Sequence, residues 1–293
     1  MDSHSLLAPR GDADFDLYPY TPSSTAGYIF LVLFAIGGAV HLVMMFPLRT
    51  WFFIPFILGC AGEASGYYAR AWSSSNIRKG SPYLIQLMLI LASAPLLAAT
   101  IYMTLGRLIR GLHAEEHAVM STRWTTKIYV LIDIGSFICQ MAGSAMQSSG
   151  DPAGIKTGVN VVVAGLGVQL VAFAFFVVMT AVFHRRLNRE PTTVSLNGGS
   201  TWRRYVWVLY AVSLLVIVRS MFRLMEFLEG PQGKLYKTEA YLYAFDAALM
   251  FLVVVIMAIG HPGMLFRSIR KHAGVLLTEG DNEGLLLRRQ TQK

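Results

Sequence analysis

The chain has 293 residues, of which 54% are hydrophobic and 14% are charged, and its mean hydropathy is +0.49. Soluble domains carry about 25% charged residues, so this composition excludes an ordinary soluble protein and is typical of a polytopic membrane protein. The only two cysteines, Cys60 and Cys139, both lie in apolar runs, which excludes a disulfide framework.

Seven apolar runs follow one another, each close to the about 20 residues that a helix needs to cross a bilayer. They cover residues 24–46, 51–72, 82–106, 127–148, 157–183, 202–228 and 239–260. The polar residues 1–23 contain four aspartates, which argues against a cleavable signal peptide. The predicted fold is therefore all-α, a bundle of seven transmembrane helices within residues 24–263. It is followed by a disordered tail, residues 264–293.

Lysine and arginine are distributed unevenly between the two ends of this bundle. Sixteen lie on one side and seven on the other, while Arg219 and Arg223 lie inside a span. Because cytosolic loops are rich in these residues, the N-terminus is predicted outside and the C-terminus in the cytosol. This bias accounts for most of the net charge of +8, so no nucleic-acid partner is needed to explain it.

The first two spans combine small residues with isolated polar ones. His41 in the first span is interpreted as a hydrogen-bonded interhelical histidine, with a ligand or proton-relay role as the alternative. Gly62 and Gly66 in the second span favour close helix packing. The second span also carries polar residues at i, i+4 and i+7, namely Glu63, Tyr67 and Arg70. For Arg70, near the outer end of the span, the alternative is that its long side chain extends (snorkels) to the membrane interface.

The next three spans carry few polar residues. The third has Gln86 near its outer end and Pro95 in its middle, where proline should kink the helix and act as a candidate hinge. Asp133 and Gln140 lie seven residues apart on one face of the fourth span, and Asp133 is the only acid predicted in the cytosolic half. The fifth span is uncharged and carries Gln169.

The sixth span holds the polar residues whose insertion into a membrane costs the most free energy. Arg219, Arg223 and Glu226 fall at i, i+4 and i+7, so on a helix they share a face roughly 60° wide. One arginine at the centre of a membrane helix costs about 2.5–3.5 kcal/mol on insertion scales. Two arginines therefore need counter-charges from other helices.

The seventh span repeats the same spacing with Glu239, Tyr243 and Asp246. By depth, the polar residues of several spans are predicted to meet in the outer half of the bundle, with Arg70 and Glu239 at the rim. The candidate substrate-binding or polar-core residues are Glu63, Tyr67, Arg70, Gln86, Gln140, Gln169, Arg219, Arg223, Glu226, Tyr243 and Asp246.

Two interpretations of this predicted polar core stay open. Buried ion pairs can serve only to fix helix packing. Alternatively, the core is a cavity that recognises a head group, because arginine suits phosphate or carboxylate while glutamate and aspartate suit an amine. A cavity with both signs fits a zwitterionic or amino-bearing amphiphile.

Eight short motifs follow one another along residues 18–263. They are Tyr18-x-Tyr20-x-Pro22, Glu63-x2-Gly66-Tyr67-x2-Arg70, Pro95-x2-Ala98-Ala99-x2-Tyr102, Asp133-x2-Ser136-Phe137-x2-Gln140-x2-Gly143, Gly165-Leu166-x2-Gln169, Arg219-Ser220-x2-Arg223-x2-Glu226, Glu239-x3-Tyr243-x2-Asp246 and His261-Pro262. As a set, they resemble the fungal RTA-like proteins, the lipid-translocating exporter family. The resemblance implies a seven-helix protein, often at the plasma membrane, associated with aminocholesterol resistance or the release of sphingoid long-chain bases.

The first functional hypothesis is thus a translocator or exporter of membrane lipids or amphiphiles, not an enzyme and without a cofactor. The sequence has no P-loop motif, so uphill movement would need proton coupling. The candidates for that coupling are Glu63, Asp133, Glu226 and Asp246.

Two other functions are weighed against it. Seven spans with an outside N-terminus also fit a receptor or sensor that acts without transport. An intramembrane metal hydrolase would need about three ligands at one depth. His41, Asp133 and His261 lie toward the cytosolic side, but the sequence has no His-x3-His pair. No metal site is predicted.

The C-terminal tail contains Asp281-x3-Leu285-Leu286, which is similar to an acidic dileucine signal for sorting machinery. The alternative is an apolar contact of these leucines with the membrane surface. Nothing in the sequence indicates an oligomeric state.

Overall fold

The computed structural model describes residues 18, 20–75, 77–147, 152–197, 201–230 and 233–267, and within these ranges the protein is helical without a β-strand. The helices are α1 Ser24–Leu48, α2 Ile54–Ser73, α3 Gly80–Gly111, α4 Thr122–Gln147, α5 Pro152–Arg189, α6 Thr193–Asn197, α7 Thr201–Glu229, α8 Lys234–Lys237, α9 Glu239–Leu242 and α10 Ala248–Ile259. A π-helical turn, Tyr243–Ala247, joins α9 to α10, and single 3-10 turns occupy Trp51–Phe53 and Glu115–His117.

Six helices of the described chain are long and apolar enough to cross a membrane. They are α1, α3, α4, α5, α7 and the continuous helical stretch that begins with α9 and contains α10. The shorter α2 is not among them, because Gly59, Gly62 and Gly66 together with Glu63 and Arg70 lower its hydropathy. Eleven of its 20 residues are buried, so α2 is an interior helix between α1 and α3. The assignment of α2 as a seventh membrane span therefore stays a prediction.

The long helices pack in chain order around the bundle. Each of α1 to α5 contacts the next, α7 follows α5, and α10 closes the ring against α7 and α1. In addition, α3 contacts α7 across the interior. This arrangement puts α2, α7 and the π turn around one part of the interior, and α3, α4 and α5 around another.

Close helix approach depends on the glycines that the sequence indicated. A Cβ atom on Gly66 would lie 2.7 Å from Ile90 Cγ1, and one on Gly62 would collide with Ser93 Oγ, both in α3. Side chains there would force α2 away from α3. The packing role predicted for the glycines of the second span is confirmed.

The observed helices extend beyond several predicted spans. The apolar run 157–183 predicts the middle of α5, which begins at Pro152 and ends at Arg189. Polar turns continue a helix beyond its apolar part because their backbone hydrogen bonds still form. The two cysteines are free, Cys60 buried and Cys139 exposed. The dileucine motif Asp281–Leu286 lies outside the described residues.

Candidate functional site: a buried charge cluster

The polar stripe of α7 is buried as a unit. Arg219, Arg223 and Glu226 are between 5% and 7% exposed, although two of them are long cations. Nη1 of Arg223 donates to Glu226 Oε2 at 3.0 Å, one turn along the same helix. The prediction that these residues share one interior face is confirmed.

Asp246 is the counter-charge for both arginines. Its Oδ1 lies 2.5 Å from Arg219 Nε, and its Oδ2 accepts a hydrogen bond from Arg223 Nη2. Asp246 is 1% exposed. Buried ions cost several kcal/mol each unless they are paired, so this carboxylate is what makes the stripe of α7 tolerable in the interior.

The π turn sets the direction of two side chains on the last span. Tyr243 opens this turn and Asp246 lies within it. Tyr243 accepts a hydrogen bond from Arg70, while Asp246 pairs with the arginines of α7. The wider π geometry spreads the two side chains further apart around the axis than a regular α-helix would. The sequence predicted a regular i, i+4, i+7 stripe here and gave no sign of the π turn.

Glu63 and Tyr67 of α2 complete the group and lie within electrostatic range of Asp246 and Arg223. Both are fully enclosed, yet Glu63 Oε1 and the Tyr67 hydroxyl have no hydrogen-bond partner among the residues that the structure describes. We call Glu63, Arg219, Arg223, Glu226 and Asp246 the charge cluster. It contains two guanidinium groups and three carboxyl groups, so with every group ionised it carries one surplus negative charge. Within the described ranges, Glu63 is its carboxyl without an ion pair.

Arg70 forms a second, separate centre next to the cluster. Its Nη2 donates to Glu239 Oε1 and to the Tyr20 hydroxyl, each at 2.9 Å, and its Nε donates to the Tyr243 hydroxyl at 3.1 Å. Arg70 is 1% exposed and also lies over the ring of Tyr18. The snorkelling alternative is therefore wrong, because aromatic rings and Glu239 enclose the guanidinium inside the protein.

A segment that precedes α1 covers this centre, and we call Tyr18, Tyr20 and Ser23 the N-terminal strap. The Tyr18 hydroxyl donates to Gln86 Oε1 of α3 at 2.8 Å, and the Ser23 backbone N–H donates to Glu239 Oε1 at 3.0 Å. Burial raises the pKa of Tyr18 to about 12, so its hydroxyl stays a donor at neutral pH. The strap thus connects α2, α3 and α9 over the Arg70 centre, next to the charge cluster.

Gln140 and Gln169 do not join the charge cluster. Gln140 Nε2 donates to Gln169 Oε1 at 3.2 Å between α4 and α5, and Asp133 hydrogen-bonds to Tyr102 and Gln169. We call Asp133, Gln140 and Gln169 the α4–α5 polar group. The sequence predicted the depth of these residues along their spans, but it could not predict which helices are neighbours. The prediction that Gln140 and Gln169 join the polar core is wrong because α4 packs on α5 rather than on α2.

Three tyrosines with polar contacts were not assigned to a site by sequence reasoning. These are Tyr18 and Tyr20 of the strap and Tyr102 beside Asp133. Each belongs to one of the motifs that carry the family resemblance, and this membership was the sequence feature that could have identified them as site residues.

His41 and His261 lie side by side at the opposite end of the bundle from the strap, with ring centroids 5.7 Å apart. His41 Nε2 hydrogen-bonds to the Val254 carbonyl of α10 at 3.1 Å, which confirms the interpretation as an interhelical histidine. Within the described ranges, no group of three His, Cys, Asp or Glu side chains could hold a metal ion. The hydrolase hypothesis therefore has no ligand set there.

Comparison with known proteins identifies relatives of the whole bundle. Protein RTA1 of Saccharomyces cerevisiae is 35% identical over 273 residues, covering 85% of each chain. Protoporphyrin uptake protein 1 of the same yeast is 33% identical over 287 residues, covering 85% of this chain and 93% of the relative. The yeast sphingoid long-chain base transporter RSB1 is 26% identical over 273 residues, covering 81% of this chain and 71% of that protein. No solved structure matches significantly.

The family model described as RTA1 like protein matches residues 56–269. That range contains α2 to α10 and with them the charge cluster, Arg70 and the α4–α5 polar group. Six apolar helices and these relatives also make the chain an integral, multi-pass membrane protein. The protein therefore belongs to the RTA1-like family.

Proposed function

We propose that this protein moves an amphiphilic lipid or lipid-like compound across its membrane, with the charge cluster as the head-group site. One relative is named a sphingoid long-chain base transporter, which supports this class of cargo. The observation that carries the proposal is Glu63, a fully enclosed carboxyl group beside two ion-paired arginines. One of its oxygens has no hydrogen-bond partner in the described part of the chain.

The charges of the cluster favour a head group with an amine. Asp246 and Glu226 are occupied by the arginines of α7, so Glu63 is the carboxylate free to pair with a cation. The Tyr67 hydroxyl, which also lacks a partner among the described residues, can accept a hydrogen bond from the same ammonium group. An acidic group on the head group would meet Arg219, whose Nη2 has no hydrogen-bond partner in the described ranges.

Access to this site requires a movement, because its residues are buried and the strap covers the adjacent Arg70 centre. We propose that the strap leaves Gln86 and Glu239 when a head group enters. Pro95 lies inside the continuous helix α3 and is the proposed hinge, since proline removes one backbone hydrogen bond from the helix.

Energy for uphill transport would come from protons. Of the four candidate carboxyl groups, Glu226 and Asp246 are held by arginines, whereas Glu63 and Asp133 have no cation partner among the described residues. Protonation of the last two breaks no ion pair, so we propose them as the coupling sites.

We further propose that α2 is the seventh span, that the N-terminus lies outside and the C-terminus in the cytosol, and that the membrane is the fungal plasma membrane.

The test is flux in liposomes that contain only the purified protein. A fluorescent sphingoid base is loaded in the inner leaflet, and its appearance outside is followed by extraction with albumin. We expect wild-type protein to accelerate this movement and Glu63→Gln to lose at least tenfold in rate, because the amide carries no charge for the ammonium. Tyr67→Phe should lower the rate less.

Glu115→Gln is the matched control, because Glu115 is an exposed acid in a loop. A folded Glu63→Gln protein with wild-type flux would refute the head-group role of the cluster. If the folded wild-type protein moves no lipid at all, translocation itself fails, and the sensor hypothesis becomes the better account.

A further inference from the structure

The seam between α1 and the last span, which runs from α9 to α10, is held differently along its length. At its outer end, the Ser23 backbone N–H donates to both carboxylate oxygens of Glu239, at 3.0 and 3.1 Å. Toward the other end, His41 Nε2 hydrogen-bonds to the Val254 carbonyl. Between these two points, no hydrogen bond or ion pair joins α1 to the last span in the described part of the chain. Since α1 also packs far less extensively on α10 than on α2, this seam is the weaker side of α1.

Aromatic rings close the section between these two points. Phe30 of α1 stacks on Tyr243 of the π turn, with ring centroids 5.4 Å apart and ring planes 9° from parallel. One turn further along α1, Phe34 meets Phe251 of α10 edge-on at 5.8 Å. Phe30, Tyr243 and Phe251 are half-buried, so part of each side chain stays accessible at the surface of the bundle. Stacked rings can separate without leaving a buried polar group unpaired, which makes such a contact easier to open than an ion pair.

The charge cluster begins directly behind these rings. Tyr67 of α2 is fully buried, and its ring lies 5.5 Å from that of Phe30 and 6.0 Å from that of Tyr243. Glu63 lies one turn earlier on the same face of α2 and is 1% exposed. One layer of half-buried rings therefore lies between the surface of the bundle and Tyr67, and Glu63 follows at the next turn.

The surface outside this ring layer is apolar. On α1, Ile29, Val32 and Ile36 are each more than half exposed, which in a membrane protein means contact with lipid chains. Taking an apolar chain out of lipid into water costs free energy for every methylene group. A head group that enters from the side of the bundle leaves its chain in the lipid, so it avoids this cost.

We infer that the seam between α1 and the last span is a lateral gate, through which an ammonium head group passes from the bilayer to Glu63 while its apolar chain stays among the lipid chains. The moving parts are the outer half of α1 and the stack of Phe30 on Tyr243, and opening breaks the contact of Ser23 with Glu239. The inference rests on the proposed function for the class of cargo and adds the route of entry, from the side of the bundle rather than from the water above the strap.

Carbodiimide modification measures access to Glu63 without any flux, on the full-length protein in nanodiscs. The hydrophobic dicyclohexylcarbodiimide reaches carboxyl groups from the lipid, whereas a carbodiimide with a charged amino group reaches them from water. Mass spectrometry of the peptide that contains Glu63 quantifies the N-acylurea product, and Glu63→Gln gives the background. We expect the hydrophobic reagent to modify Glu63, the charged reagent to leave it unmodified, and hexadecylamine to slow the modification.

Phe30→Ala should accelerate the modification by the hydrophobic reagent roughly fivefold, because it removes the stacking energy that keeps the gate closed. Phe46→Ala is the matched control and should leave the rate unchanged, since Phe46 is an exposed ring of α1 that packs on Trp51 outside the seam. Equal rates in the two folded variants would overturn the inference. Faster modification of Glu63 by the charged reagent than by the hydrophobic one would overturn it as well, because the route would then begin in water.

The chain of the cargo provides a second test, in the flux assay. Because the chain stays in the lipid, a pyrene group at the far end of a long-chain amine should leave the protein-dependent rate close to that of the plain amine. The same group on the amine nitrogen should abolish movement, because it would have to pass the ring layer with the head group. Loss of movement with pyrene on the chain would show that the chain passes through the protein, against a lateral gate.

The outcomes separate the two proposals. If the wild-type protein moves no lipid but Phe30→Ala still accelerates the modification of Glu63 from the bilayer, the proposed function fails and the lateral gate stands. If flux depends on Glu63 while Phe30→Ala and Phe46→Ala are modified at equal rates, the lateral gate fails alone.

Discussion

Asp246 is the residue on which the charge cluster depends, because it alone pairs with both Arg219 and Arg223 among the described contacts. Glu226 assists only Arg223. The cluster contains one more carboxyl group than guanidinium groups, but Glu63 does not replace Asp246. Glu63 lies on α2 and forms no ion pair with either arginine among the described contacts. We therefore propose that the architectural interpretation and the head-group interpretation apply to different members of one cluster: Asp246 holds the helices together, and Glu63 is available to a ligand.

The Asp246→Asn substitution should therefore destabilise the fold. It leaves two buried guanidinium groups with half of their counter-charge, and breaking a buried ion pair from one side costs about 3–5 kcal/mol. Unfolding of the purified protein in detergent, followed by tryptophan fluorescence, measures the change. Glu63→Gln should alter the stability far less, and equal losses for the two variants would contradict this division of roles.

At the level of single residues, helical spacing predicted the interior face of α7, and depth placed Arg70 and Glu239 at the same rim, but their ion pair was not predicted. It could not predict the enclosure of Arg70, because the rings around it come from Tyr18, Tyr20 and Tyr243, which are far apart in sequence. Tertiary contacts of this kind leave no periodic pattern in any one segment.

Among the elements, the N-terminal strap has the clearest mechanical role. Two tyrosine hydroxyls and one backbone N–H attach it, to Gln86, Arg70 and Glu239. A net hydrogen bond contributes only about 1 kcal/mol, so such an attachment can open without unfolding the bundle. The strap is thus suited to regulate access to the site beneath it.

Removal of both strap hydroxyls, in a Tyr18→Phe and Tyr20→Phe double variant, should loosen the strap. About 1 kcal/mol per lost hydrogen bond corresponds to roughly fivefold more opening for each. Hydrogen–deuterium exchange of the backbone amides that follow Pro22 reports this opening. Tyr28→Phe, at a half-exposed tyrosine of α1, is the matched control. Exchange rates equal to wild type in the double variant would show that these hydroxyls do not hold the strap.

The helices themselves were predictable as elements, because an apolar run of membrane length has few other structures available to it. The π turn was not, since Tyr243–Ala247 has an ordinary helical composition and only its packing against α7 favours the wider geometry. The separation of Gln140 and Gln169 from the charge cluster could not be predicted from the sequence either, because it depends on which helices are neighbours.

On the scale of the whole molecule, the distribution of cations predicts the orientation in the membrane. The chain has no natural Asn-x-Ser/Thr acceptor, so single acceptors can be added without background. We expect glycosylation of a Ser3→Asn variant, which creates an acceptor in the N-terminal tail, and none of a Leu276→Asn variant in the C-terminal tail. A mobility shift removed by an endoglycosidase is the readout. The reverse pattern would invert the predicted topology.

The position of Asp246 in the last span also affects how the protein is made. α7 leaves the ribosome with two arginines, while the aspartate that pairs with both is synthesised more than twenty residues later. During that interval α7 has only Glu226 and the earlier Glu63 to offset its charge, and an uncompensated arginine inserts poorly. We therefore expect the insertion machinery to retain α7 until the helix that carries Asp246 arrives.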